Sequence, residues 1–561
     1  DKGRQIHDEI VRRHMLAKDV LLGTALINMY SKCGMLAKAQ EVLKELPFQN
    51  AATWNALIAG CVEQGKSEEA LKYYVMMQKQ DLPPDAITFI CILKACGGIG
   101  ALAQGKDIHE KIVSRGLLKK DVVLGTALVD MYAKCGELAK AQQVLEGLPV
   151  RDVVTWNALL VGYALQEQHN ATFNCFEQMK TEGCTPNVVT LVCVLKSCGC
   201  TRAIDKGEKI HDSFFSMGVL EKDTTVGAAL VDMYAKCGML VKAKEVLMDL
   251  PARDVVSWNA LVAGYVQHGQ CHEALNCFEQ MRKEGCCPDA STFICALKSC
   301  GSIGAIDRGK QLHDEIMDKF LLNEDIALSN ALIDMYAKCG MLAQAQQLLE
   351  ELPDRQLVSW NALISGYAQH GHGHEAWNCF TQMQSEGLCP SVVTFVCILK
   401  ACGSVNGIDK GRQIHNMIVG TCLLENNVLG NALVDMYVKC GVAAKAREVL
   451  EMLPVRDAIS WNTLISGYVQ QEQSHEALKC FKRMQYEDIS PNVVTFLCIL
   501  KACSIIGDID KGKQIHYEIV KRSLLEKNTV LVNALVDMYS KCGALEKAQE
   551  LFEELHVRDV A

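Results

Sequence analysis

Three stretches of this chain read His-x-Glu, at His7–Glu9, His313–Glu315 and His516–Glu518. In zinc-dependent deaminases that spacing sets a metal ligand beside a general acid–base carboxylate, and a Pro-Cys-x-x-Cys segment completes the ligand set. No such segment follows here, and no two of the 28 cysteines are spaced Cys-x-x-Cys. The three histidines instead close a phrase, Gly-x-x-Ile/Leu-His, that recurs along the chain and has the pattern of an amphipathic helix. A denser cluster, His370, His372, His374 and Glu375, occurs in a single turn between helices and is given no metal role. No P-loop or nucleophile elbow stands apart from the recurring pattern. The expectation is a chain with no catalytic residue, metal or cofactor.

Composition sets the frame for what remains. The 561 residues are 49% hydrophobic with only 11 prolines, enough apolar material for a large folded body. Most cysteines fall on apolar faces, as Cys91 and Cys96 or Cys498 and Cys503 do, where a thiol behaves as a small hydrophobe; buried thiols in a reducing compartment are expected. No apolar run reaches the length of a membrane span. The net charge of −9 means that any nucleic-acid site must rest on a local basic stripe rather than on global attraction.

The elements that position these residues follow from repetition. Met-Tyr-x-Lys-Cys-Gly recurs with its cysteine at Cys33, Cys135, Cys237, Cys339, Cys440 and Cys542, every 101 or 102 residues. Within one interval lie three related units of 35, 36 and 31 residues, as in 153–187, 188–223 and 224–254. Each holds two apolar-periodic stretches separated by a short Gly-containing break, the pattern of a helical hairpin. A lone hairpin cannot bury its apolar face, so neighbours must stack into an all-α solenoid with a continuous groove. Val-rich starts such as Val153-Val154-Thr155 run directly into helical periodicity, which leaves no place for strands. The Asp or Asn that ends most units stands where a helix N-cap is needed; Asp121 and Asn528 are expected to do only that.

The phrases Ser359–Tyr367 (SWNALISGY), Gly512–His516 (GKQIH) and Asn431–Gly441 (NALVDMYVKCG) resemble the P, L and S units of the PLS branch of pentatricopeptide repeat proteins. The period does not suit a tetratricopeptide array, whose unit is a fixed 34 residues. The resemblance implies a right-handed α-solenoid, or superhelix, divided into a partial L repeat at 1–19, an S repeat at 20–50, and P-L-S triplets at 51–152, 153–254, 255–356, 357–457 and 458–559. It also implies that each P or S unit meets one base of single-stranded RNA through its fifth and last residues. In the P units these are Asn55 with Asp85, Asn157 with Asn187, Asn259 with Asp289, Asn361 with Ser391, and Asn462 with Asn492. In the S units they are Thr24 with Asn50, Thr126 with Asp152, Ala228 with Asp254, Asn330 with Gln356, Asn431 with Asp457, and Asn533 with Asp559.

A carboxylate only accepts and so suits a ring N–H of uracil or guanine, while an amide can also donate to cytosine or adenine. The implied register is A-U-N-G-C-N-N-U-N-Y-C-N-U-C-N-U. The L units carry Ile90, Val192, Ile294, Val396 and Leu497 at the fifth position, and an apolar side chain cannot read a base edge. Capping alone does not account for that contrast between unit types. Aliphatic second residues such as Val154, Val256, Val358 and Ile459 are either base wedges or core.

Lysines at fixed phase, Lys32, Lys134, Lys236, Lys338, Lys439 and Lys541 in S units and Lys94, Lys196, Lys298, Lys400 and Lys501 in L units, are expected to form a cationic stripe for the phosphate backbone. By the same resemblance the protein serves a mitochondrion or chloroplast, targeting a transcript for C-to-U editing or other processing. Its partners would be editing-complex proteins or a deaminase domain that lies beyond Ala561 or acts in trans. The competing reading is a protein-binding scaffold without RNA recognition.

Overall fold

The computed structural model describes residues 2–13, 15–16, 19–119, 121–215, 224–318, 325–421, 423, 426–525 and 528–553. Among these are 33 α-helices, one 3-10 turn at Leu117–Lys119 and no strand. The chain is all-α, and its helices pair into hairpins such as Val153–Leu165 with His169–Thr181. It divides into two compact units, Asp1–Pro288 and Asp289–Ala561. Within each unit the first helix of a hairpin packs on its own second helix and on the first helices of the neighbouring hairpins. Stacking of first helix on first helix makes each unit a solenoid.

Helical periodicity decides which residues fill this stack. The fourth residue of the first helix is the largest core side chain: Trp54, Trp156, Trp258, Trp360 and Trp461 in the 35-residue hairpins, and Phe89, Phe293, Phe395 and Phe496 in four of those that follow, all buried. With the fourth residue inward, the second, fifth and ninth share another face of the same helix, one turn apart. Close approach of the stacked helices demands small residues. A Cβ built on Gly162 would stand 2.6 Å from the Ala133 Cβ of the preceding hairpin and 3.3 Å from its Cα. The Lys-Cys-Gly phrase ends its helix through a left-handed glycine, as Gly136 shows at φ +84°, the conformation glycine adopts without Cβ strain.

The recurring histidine is part of the packing. The Nδ1 of His109, His211, His313 and His415 lies 2.8–2.9 Å from the hydroxyl of Tyr132, Tyr234, Tyr336 and Tyr437 respectively, with the rings edge to face. Burial pushes all four imidazoles below their usual value of 6.5, so the neutral ring is the folded form. A folded pKa below the unfolded one means that the unfolded chain binds more protons in that window. Stability is therefore complete above about pH 6.5 and declines as the pH falls toward the depressed values. The thermal midpoint, followed from pH 7.5 to 5.5, should be level at the top of the range and fall below 6.5; a level profile throughout would show that these rings accept protons freely in the fold.

Candidate nucleic-acid interface

In the hairpins of Asn55, Asn157 and Asn462 the fifth and last residues meet. Asn55 Nδ2 donates to both carboxylate oxygens of Asp85 at 2.9 and 3.1 Å, Asn157 Nδ2 to Asn187 Oδ1 at 2.8 Å, and Asn462 Nδ2 to Asn492 Oδ1 at 3.0 Å. The three asparagines are only 6 or 7% exposed, whereas Asp85, Asn187 and Asn492 stand at the surface. The last residue also caps the next helix, accepting from the backbone N–H of Thr88, Thr190 or Thr495 at 2.8, 3.1 and 3.1 Å. Capping and pairing are thus two uses of one side chain rather than alternatives. At Asp85, burial raises the carboxyl pKa, but hydrogen bonds from Thr88 and Asn55 outweigh it and hold the group below the usual range. It remains an obligate acceptor.

Several of the other predicted pairs are held differently. Thr126 Oγ1 lies 2.7 Å from Thr155 Oγ1, which lies 2.6 Å from Asp152 Oδ1, so this pair is joined through the hydroxyl of a third residue. Asn330 Oδ1 accepts from Ser359 at 2.5 Å, but Gln356 makes no side-chain cap bond. Thr24 bonds the Val20 carbonyl at 2.9 Å while Asn50 caps its helix through Thr53. Asn361 Oδ1 is buried without a partner, and Ser391 turns to Thr394. Asn431 and Asn533 are half-buried; Asp457 caps through Ser460, and Asp559 lies outside the described residues. Ala228 is buried and Asp254 caps through Ser257. Asn259 and Asp289 belong to different compact units, and Asp289 caps its helix through Thr292.

One cap expectation fails. Asp121 caps its helix through Val123 and Leu124, but Asn528 makes no cap bond and donates instead to the Leu524 carbonyl at 3.1 Å. An amide that can donate finds the carbonyl of the preceding turn, an option closed to a carboxylate.

Around the pairs the second residues point outward. Val154, Val256, Val358 and Ile459 are 57, 64, 60 and 63% exposed, and Ile87, Val123, Val428 and Val530 are exposed in the other unit types. They are surface, not core. On the same face Ile90, Val192, Ile294, Val396 and Leu497, the fifth residues of the hairpins that follow the tryptophan-bearing ones, are half-buried.

The lysine series divides in two. Lys134, Lys236, Lys338, Lys439 and Lys541 each form an ion pair of 2.7–2.9 Å with the aspartate four residues before. The stems of Lys134, Lys236, Lys338 and Lys439 lie over Gly97, Gly199, Gly301 and Gly403. Lys32 has Asn28 where the others have aspartate. Lys94, Lys196, Lys298, Lys400 and Lys501, at the ninth position of the hairpins that follow the tryptophan-bearing ones, are exposed on the face that carries the second and fifth residues. The residue four before each of these lysines is Ile90, Val192, Ile294, Val396 or Leu497, so none has an aspartate at the spacing that neutralises Lys134.

Among the described residues no group of three or more His, Cys, Asp or Glu is arranged to hold a metal, and no helix is long and apolar enough to cross a membrane. Burial pushes the Cys96 thiol up to about 11 and the Cys175 thiol up to about 12, which removes them as nucleophiles at neutral pH.

Stacked helical hairpins, several of them with a joined polar pair at the edge of the first helix, define a helical-repeat protein. A family model described as the PPR repeat family matches residues 49–98, 151–200, 253–302, 355–404 and 456–504, and one described as PPR repeat matches 24–48, 229–255, 328–357 and 530–560. The chain belongs to the pentatricopeptide repeat family. It is 32% identical over 549 residues to a chloroplastic pentatricopeptide repeat-containing protein of Arabidopsis thaliana, covering 98% of this chain and 68% of the relative. It is 31% identical over 573 residues to a mitochondrial one from the same plant, covering 99% of this chain and 63% of the relative. The crystal structure of the pentatricopeptide repeat protein PPR10 from maize matches with a TM-score of 0.60 at 20% identity, covering 96% of this chain and 84% of that one. A second match, TM-score 0.58 at 17% identity over 95% of this chain and 85% of that one, is PPR10 in complex with an 18-nt psaJ RNA element.

Proposed function

We propose that this protein binds one particular single-stranded RNA, one base for each P or S hairpin, and thereby directs editing or other processing of a transcript in a mitochondrion or chloroplast. The observation that carries this reading is the joined pair. A buried amide, Asn55, Asn157 or Asn462, holds an exposed Asp or Asn, whose remaining hydrogen-bonding capacity is open to a ligand. Exposed aliphatic side chains one helical turn away, such as Val154 and Ile459, offer apolar surface to the planes of the bases. The P-L-S division with triplets from 51 to 559 belongs to this proposal, as does recruitment of editing-complex proteins or a deaminase domain. Relatives named chloroplastic and mitochondrial support an organellar address, and the solved complex of PPR10 with RNA supports the ligand class.

The test is fluorescence anisotropy at fixed salt with a 16-nucleotide RNA carrying A-U-N-G-C-N-N-U-N-Y-C-N-U-C-N-U and with a scrambled RNA of equal composition. The register RNA should bind at least tenfold tighter. Its affinity should fall as salt rises, because phosphate contacts release counterions. Equal binding of the two RNAs would remove the code, and no binding of either would favour the protein-binding scaffold.

A further inference from the structure

We infer that the hydroxyl at the third position of the following hairpin is a positioning residue for base recognition: Thr88 for Asn55, Thr190 for Asn157 and Thr495 for Asn462. The inference rests on the RNA-binding reading above and adds a residue to each pair. A primary amide presents a donor or an acceptor according to which way it is turned, so an unrestrained Asn discriminates poorly between bases.

In the Asn157 hairpin one threonine removes that freedom twice. Thr190 Oγ1 donates to Asn157 Oδ1 at 2.6 Å, which aims Asn157 Nδ2 at Asn187 Oδ1, 2.8 Å away. The Thr190 backbone N–H donates to the same Asn187 Oδ1 at 3.1 Å. With its oxygen doubly engaged, Asn187 turns its Nδ2 donors outward. The same circuit recurs with Thr495 at 2.6 Å from Asn462 Oδ1, and with Thr88 at 2.7 Å from Asn55 Oδ1; in all three the fifth-position amide is the nearer acceptor, the last residue lying 3.1, 3.1 and 2.9 Å from Thr190, Thr495 and Thr88 Oγ1. In those three hairpins the atom offered to a base is set by the last residue alone, an N–H in Asn187 and Asn492 and an oxygen in Asp85.

The molecule contains its own contrast. Thr394 occupies the same third position and forms the same capping box with Ser391. Its hydroxyl lies 3.0 Å from Ser391 Oγ, as the other three lie near their last residues, but Asn361 Oδ1 is left buried with no partner. There the threonine starts a helix without holding an amide.

The experiment compares Thr190→Val, Thr190→Ser and Thr394→Val in the full chain, in competition binding at fixed salt between RNAs of the register that differ only by C or U at the base of the Asn157 hairpin, and separately at that of the Asn361 hairpin. Thr190→Val should reduce the C-over-U ratio at the Asn157 base at least fivefold, and Thr190→Ser should retain it. Thr394→Val loses an equivalent capping box and should lower the thermal midpoint comparably, yet leave the ratio at both bases unchanged. An unchanged ratio in Thr190→Val, or an equal loss at the Asn361 base in Thr394→Val, overturns the positioning role and reduces these hydroxyls to caps. If the unaltered protein shows no preference at the Asn157 base, the RNA-reading proposal itself fails, which separates that failure from failure of the threonine's role.

Discussion

Asp85→Asn is expected to move the preference of the Asn55 hairpin from uracil toward cytosine by about 1–3 kcal/mol, the range of a good bidentate base contact. The substitution is nearly silent for folding. Asn55 Nδ2 and the Thr88 N–H, which bond one carboxylate oxygen of Asp85 at 2.9 and 2.8 Å, keep that acceptor in an amide oxygen, as Asn157 Nδ2 and the Thr190 N–H do at Asn187. Only the longer 3.1 Å bond to the second oxygen is lost, and Asn caps a helix about as well as Asp. The change falls on the outward atom. The carboxylate, held ionised by those hydrogen bonds, only accepts, whereas the amide there donates to the bare ring nitrogen of cytosine. Competition between two RNAs differing at that base, with wild type and variant at one salt concentration, measures the shift. Identical preferences in the two proteins would leave Asp85 a cap and nothing more. Because the Asp85 carboxyl is held below its usual range, the wild-type preference should not vary between pH 8 and 6.

Trp156→Ala is expected to cost about 3–5 kcal/mol, the usual range for removing a fully buried indole. Trp156 is 0% exposed, and its Nε1 has no hydrogen-bond partner, so the loss is one of packing and cavity formation. In a solenoid each hairpin contacts only its neighbours, and the damage should stay local. Amide exchange should lose protection in the hairpins from Val122 to Thr201 while helices from Ala290 onward keep theirs. RNA preference should vanish at the bases of the Thr126 and Asn157 hairpins and persist at that of Asn462. Uniform loss of protection along the chain would mean that the array unfolds as one cooperative block.

Much of this molecule is legible in one dimension. The recurrence of Lys-Cys-Gly every 101 or 102 residues, the tryptophan at the fourth residue of each 35-residue unit and the polar residue after it follow from sequence periodicity, because a helix repeats its faces every 3.6 residues whatever it packs against. The same periodicity placed Asp85, Asn187 and Asn492 at helix starts. It could not show that they do two things at once, since Asn55 and Asp85 are 30 residues apart and meet only when the hairpin closes. The lysine series illustrates the limit. Spacing put Lys134 and Lys94 in one stripe, while the fold pairs Lys134 with Asp130 and leaves Lys94 exposed.

What the sequence by itself determined is the kind of object: helical hairpins, their number and phase, and which face of each is apolar. These are local properties, set by propensity and pattern along a few turns of chain. Only the tertiary structure decided which polar atoms remain free for a ligand. Thr190 and Thr394 are equivalent in sequence, yet one holds Asn157 and the other turns to Ser391. A hydroxyl has a single proton to donate, and which acceptor takes it depends on side chains brought within 3 Å by the stacking of separate hairpins, a distance that no spacing along the chain encodes.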